Sequence, residues 1–117
     1  MAYMLLVVEP PEQRSTRSEG EGRAAYASMV RFSEELKQRG LLTVSQSLKT
    51  PTAGSRLKMQ GDSAVITDGP YAETKEVIGG FFLLTCETRE EALAVARKCP
   101  AAQWATIEVR ELGPCFE

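Results

Sequence analysis

"GGFFLLTCETREEALAVARKCPAAQWATIEVREL", residues 79–112, runs through a strand, a helix and a second strand, and that order decides the fold. Phe81, Phe82, Leu83 and Leu84 are apolar on both parities, so the first strand has no side suited to water. Thr88 and Glu91 then stand in T-x-x-E spacing, the signature of a capping box at a helix start. Ala92, Val95, Ala96 and Cys99 follow at i, i+3, i+4 and i+7 and mark one helical face, which Pro100 ends. Past it, Ile107 and Val109 alternate with Glu108 and Arg110, the period of a strand with one apolar side.

The N-terminal part repeats the order. "YMLLVV", residues 3–8, is a short apolar run closed by Glu9-Pro10-Pro11 and reads as a buried strand. Residues 12–22, rich in Ser, Arg, Glu and Gly, read as a mobile loop. Ala25, Met29, Phe32 and Leu36 place a helix over about residues 23–39, with Lys37 and Arg39 favourable to its dipole and Gly40 as a left-handed cap. Residues 41–50 alternate weakly as a second strand before Pro51-Thr52-Ala53-Gly54 breaks it. Residues 56–60 and 64–67 read as a hairpin turning at Gly61-Asp62. The whole is strand, helix, strand, hairpin, strand, helix, strand. Its simplest solution is an α+β, ferredoxin-like antiparallel sheet with both helices on one face.

Two helices cover only one side of that sheet, yet "MLLVV" and "FFLLTC" are apolar on both parities. No third helix follows in the sequence, so a second copy of the chain is the expected cover, giving a homodimer with sheets packed face to face.

Composition narrows the function. With 117 residues the chain fits one domain, and 43% hydrophobic against 26% charged residues is the balance of a globular protein able to build a core without staples. A net charge of −2 with interleaved signs offers no basic stripe for nucleic acid. No apolar run approaches the roughly 20 residues of a membrane helix, and the first residues lack the layout of a signal peptide. Cys86, Cys99 and Cys115 are widely spaced and odd in number, against both a disulfide framework and paired zinc ligands, so a reducing cytoplasm is the expected setting. Histidine is absent altogether. That removes the usual general base and the commonest transition-metal ligand, and leaves Asp, Glu, Lys, Tyr or Cys, or else a cofactor, for any chemistry; no motif points to one, so no metal or cofactor is expected.

"DGPYAETKEVIGGFF", residues 68–82, carries turn formers, then mixed charges, then paired glycines before aromatics. It resembles the signature of the YCII-related superfamily and of its DGPF-domain branch. The likeness extends to "YMLLVVEP", "SEELKQRGLL", "EEALAVARKCPAA" and "IEVREL", nearly the whole chain. The resemblance implies a ferredoxin-like fold that dimerises into an α/β barrel, with no established activity, and a functional link of some members to sigma factors of the extracytoplasmic-function type. Some YCII-like proteins have a His-Asp pair in a pocket; lacking histidine, this chain cannot have it.

The remaining acidic position of that motif, Asp68, is the candidate acid or base, though Asp68-Gly69-Pro70 also reads simply as a turn. Glu73 and Lys75, with Glu76, are ligand-contact candidates or a solvated loop. Gly79 and Gly80 admit a ligand closely or form a bulge, the reading preferred. Glu108 and Arg110 share a face and line a pocket if that face is interior, or meet water if the strand is an edge. Cys86 and Cys99 fall on apolar faces and read as core; Tyr26 and Trp104 read as packing residues. Two functions of different class follow: a small-molecule-binding or regulatory module with a pocket near the dimer interface, and a metal-independent small-molecule enzyme using Asp68, with Arg110 on an anionic group.

Overall fold

The computed structural model describes residues 2–117. Strand β1, Tyr3–Glu9, has the strict alternation its sequence hides: Tyr3, Leu5, Val7 and Glu9 are buried and the residues between them half-buried. After a single 3-10 turn at Arg14–Thr16 comes helix α1, Glu19–Gln38. The chain continues through β2 (Leu42–Ser47), the hairpin strands β3 (Ser55–Gln60) and β4 (Ser63–Asp68), and β5 (Val77–Leu84). Helix α2 (Arg89–Lys98) and β6 (Thr106–Glu111) complete it.

Helix α1 begins inside the segment expected to be a loop. Ser18 accepts from the Glu21 amide at 3.1 Å and the Glu21 carboxylate accepts from the Ser18 amide at 2.9 Å, a complete capping box. Gly20 and Gly22 lower helix propensity just after this cap, which is why the residues read as flexible. Gly40 and Gly61 take the expected turns, with φ of 71° and 61°.

The main sheet has the order β2-β5-β1-β6 with every neighbouring pair antiparallel. With the β3–β4 hairpin set aside, this is the ferredoxin-like strand order the element sequence predicts. The core lies between the helices and one face of the sheet, where Leu5, Leu36, Leu84, Cys86 and Cys99 are fully buried and Phe32 meets Phe82 edge-on with centroids 5.3 Å apart. Ile107 and Val109 join this side. The opposite face carries Met4, Leu6, Val8, Phe81 and Leu83, all half-buried, without a helix over them.

The β3–β4 hairpin forms a separate two-stranded sheet in which every residue is exposed. Its register, with Leu57 opposite Ile66 and Met59 opposite Ala64, gathers those four on one face, while Arg56, Lys58 and Thr67 take the other. Leu57 is 62% and Ile66 63% exposed, a bare apolar strip. At the base of the hairpin a side chain on Gly69 would lie 1.8 Å from the Pro51 carbonyl oxygen, so this close approach admits glycine alone. The Gly69 amide donates to Gly54 at 2.9 Å, the Gly69–Pro70 bond is cis, and Arg56 stacks 3.7 Å over Tyr71.

Candidate functional site

The end of β1 carries a carboxylate on its core-facing side. Glu9 shares the parity of Tyr3, Leu5 and Val7 and is only 4% exposed. A buried charge must be matched, and Arg14, placed by the 3-10 turn after β1, matches it with Nε 2.7 Å from Glu9 Oε1. Arg14 Nη1 donates to the Leu48 carbonyl at 2.5 Å and Nη2 to the Gly79 carbonyl at 2.9 Å. One guanidinium thus ties the segment between β1 and α1 to the ends of β2 and β5.

Gly79 makes room for the pair. The β1–β5 register passes from Val7 opposite Gly80 to Val8 opposite Ile78, so Gly79 is the extra residue of a β-bulge, the preferred sequence reading. A Cβ there would stand 2.7 Å from both Glu9 Oε1 and Arg14 Nη2. Gly80 is confined by the neighbouring strand, since its Cβ would meet the Gln46 carbonyl oxygen at 2.8 Å.

This end of the sheet opens into a cavity of about 550 Å³ between α1, β2 and β5. Val7, Met29 and Phe82 give it an apolar inner wall, and Glu9, Arg14 and Gly79 form one end. Ser33 of α1 and Ser45 of β2 both line it and are hydrogen-bonded to one another, with hydroxyl oxygens 3.1 Å apart. Arg17 and Trp104 stand together at the rim, the guanidinium 5.3 Å over the indole, while Gln13 Nε2 donates to the Trp104 carbonyl oxygen. Gln13 Oε1 is buried without a protein partner among the described residues. A concave, mainly apolar space of this size with a few converging polar groups is the usual form of a small-molecule site.

The structure distributes the expected site residues over three places. Gly79 and Gly80 line the cavity. Asp68 ends β4, is exposed, and accepts from Ser55 Oγ at 2.7 Å. Glu73 and Lys75 follow in the loop between β4 and β5, Glu73 exposed like Asp68. Glu108 and Arg110 project from the face of β6 opposite the core, paired to one another, on an edge strand. Trp104 packs on the core as expected and also lines the cavity, whereas Tyr26 departs from the packing role expected of it and stands exposed on the cavity lining. Glu9, Arg14 and Arg17 were not legible as site residues. Glu9 did carry a signal, its parity with the buried residues of β1, whereas Arg14 meets it only through the fold.

Cys86 and Cys99 are buried as expected, and burial pushes both thiols up from the ordinary range, which disfavours the reactive thiolate. Among the described residues no group of three or more His, Cys, Asp or Glu is arranged to hold a metal ion. Among the described residues no helix is long and apolar enough to cross a membrane.

Known proteins of similar sequence and shape bear on this arrangement. A protein of Rhizobium meliloti (strain 1021), itself described as uncharacterized, is 31% identical over 115 residues, covering 97% of this chain and 93% of its own. Among solved structures, the 5-chloro-2-hydroxyhydroquinone dehydrochlorinase of Burkholderia phenoliruptrix in complex with 2,5-dihydroxybenzoquinone superposes with a TM-score of 0.56 at 15% identity. That match covers 97% of this chain and 94% of the enzyme. The model of the YCII-related domain matches residues 1–115. The chain therefore belongs to the YCII-related family.

Proposed function

We propose that the protein is a small-molecule-binding or regulatory module whose ligand site is the cavity under α1, and that it works as a homodimer joined through the outer faces of its sheets. The observation that carries the reading is the cavity itself: about 550 Å³, apolar within, and bounded at one end by a buried carboxylate–guanidinium pair for which the β5 strand is bulged. The dehydrochlorinase that shares the fold was solved with a small ring compound, which supports a site of this scale in this architecture. The apolar outer face supports the dimer, because water is a poor neighbour for Leu6, Phe81 and Leu83 together. One sheet thickness then separates the cavity from the interface.

An alternative is a metal-independent acid–base enzyme using Asp68. It draws on the enzymatic nature of the dehydrochlorinase. Within one chain the Asp68 carboxylate meets Ser55 and solvent, so this reading needs the second copy to build a cavity against the hairpin.

A thermal-shift screen against a metabolite library separates them, since a ligand raises stability by mass action whatever its chemistry. Gly22→Phe obstructs the mouth at a position where a Cβ meets nothing within 4 Å. A shift lost in Gly22→Phe and kept in Asp68→Asn is the expected result. The converse pattern would overturn the cavity reading in favour of Asp68.

A further inference from the structure

We infer that the cavity takes a small aromatic carboxylate, anchored by the Arg17 guanidinium stacked on Trp104; this rests on the cavity reading and names the class of its ligand. The charges around the cavity can be assigned one at a time. Arg14 is spent on Glu9 and the Leu48 and Gly79 carbonyls, at 2.7, 2.5 and 2.9 Å. Glu19 at the mouth is bound by Arg23 at 2.8 Å. That leaves Arg17 as the lining cation with no carboxylate in ion-pair distance among the described residues, although Glu21, off the lining, is near enough to feel its charge.

Its setting favours a flat anion. The guanidinium carbon lies 5.3 Å from the Trp104 ring centroid, within cation–π range, and a guanidinium held there can offer two N–H groups to a carboxylate. Inward from Arg17 and Trp104, Met29 and Phe82 present thioether and aromatic surface, which prefers a ring to a flexible aliphatic chain. A volume of about 550 Å³ accommodates one or two fused rings with room for substituents, and the mutually bonded Ser33–Ser45 hydroxyls keep one donor and spare lone pairs for a polar one. Glu34, the other charge on the lining without an ion pair among the described residues, lies about 24 Å from Ser18 along α1 by helical rise, too far to offset Arg17.

Calorimetric titration of the full chain with 2-naphthoate and with its neutral isostere 2-naphthamide tests the inference. The acid is expected to bind wild type about tenfold or more tighter than the amide, the scale of a hydrogen bond to a charged group. Rising salt should narrow that gap. Arg17→Gln should bring the two compounds level, Arg17→Lys should keep part of the preference, and circular dichroism checks that both variants stay folded. Equal affinity of acid and amide for wild type overturns the inference without recourse to any variant. If both bind equally and Gly22→Phe abolishes both, the anionic class is wrong while the cavity remains the ligand site. If neither binds while the library gives only neutral ligands, the class is again wrong. If the library gives no ligand at all, the cavity reading falls with it.

Discussion

Arg14 does more in this molecule than its place in a polar, glycine-bearing segment suggests. It neutralises Glu9, satisfies two strand-end carbonyls, and fixes the entry to α1. Replacing it by methionine keeps the aliphatic stem and leaves the Glu9 carboxylate buried without a partner. Removing one member of a buried pair costs several kcal/mol, and because the Arg14 side chain is 30% exposed the expected loss is at the lower end, about 2–3 kcal/mol in urea unfolding. A change below about 0.5 kcal/mol, the range of ordinary surface substitutions, would mean that water already screens the pair. Little of this could be read in advance. Parity along residues 3–9 puts Glu9 with the core, but the glutamate also stands before two prolines, where a strand end facing solvent is the simpler reading.

At the level of elements, local signals served well where they agreed and failed where they competed. Thr88 and Glu91 announced α2, and the Thr88 side chain does accept from the Glu91 amide at 3.2 Å. The same spacing at Ser18 and Glu21 was masked by the glycines between and after them, so α1 gained its first turn only from the structure. The backbone hydrogen bond from Ser18 holds the Glu21 carboxyl below its ordinary value, with the Ser18 side chain next in effect. A lowered folded-state pKa stabilises above the unfolded value of about 4.3 and is lost as pH falls through the folded one. Ser18→Ala is accordingly expected to lower stability by about 1 kcal/mol at neutral pH. Glu21→Gln should flatten the acid limb of the stability curve below pH of about 4.3, measured as urea midpoint against pH. An unchanged acid limb would show that the contact does not persist in solution. The hairpin was equally legible as an element, from Gly61-Asp62, but its isolation was not, because nothing local in residues 55–68 tells whether another surface lies beneath it.

For the whole molecule, the alternation of strand and helix was enough to give the antiparallel sheet with helices on one side, since two β-α-β units allow few other arrangements. The position of the cavity was beyond reach, as it depends on how α1 lies over β2 and β5. Leu83 stands at the centre of the uncovered face, paired with Met4 and Val44. Sedimentation of the wild-type chain is expected to give a dimer at micromolar concentration, and Leu83→Lys a monomer with its fold retained, because an unpaired charge in an apolar interface is strongly disfavoured. A wild-type monomer would remove the homodimer proposal and, with it, the Asp68 alternative.

The strand order has a temporal side. β1 is made first, yet its two neighbours are β5 and β6, and β2 also waits for β5. Until residues 77–84 have been synthesised, the only ladder the nascent chain can complete is the projecting β3–β4 hairpin. An extended apolar segment, "YMLLVV", therefore leaves the ribosome with no strand to pair with, and contacts this distant in sequence close slowly. Association between neighbouring nascent chains is the hazard this topology creates, and it lasts for as long as β5 takes to arrive.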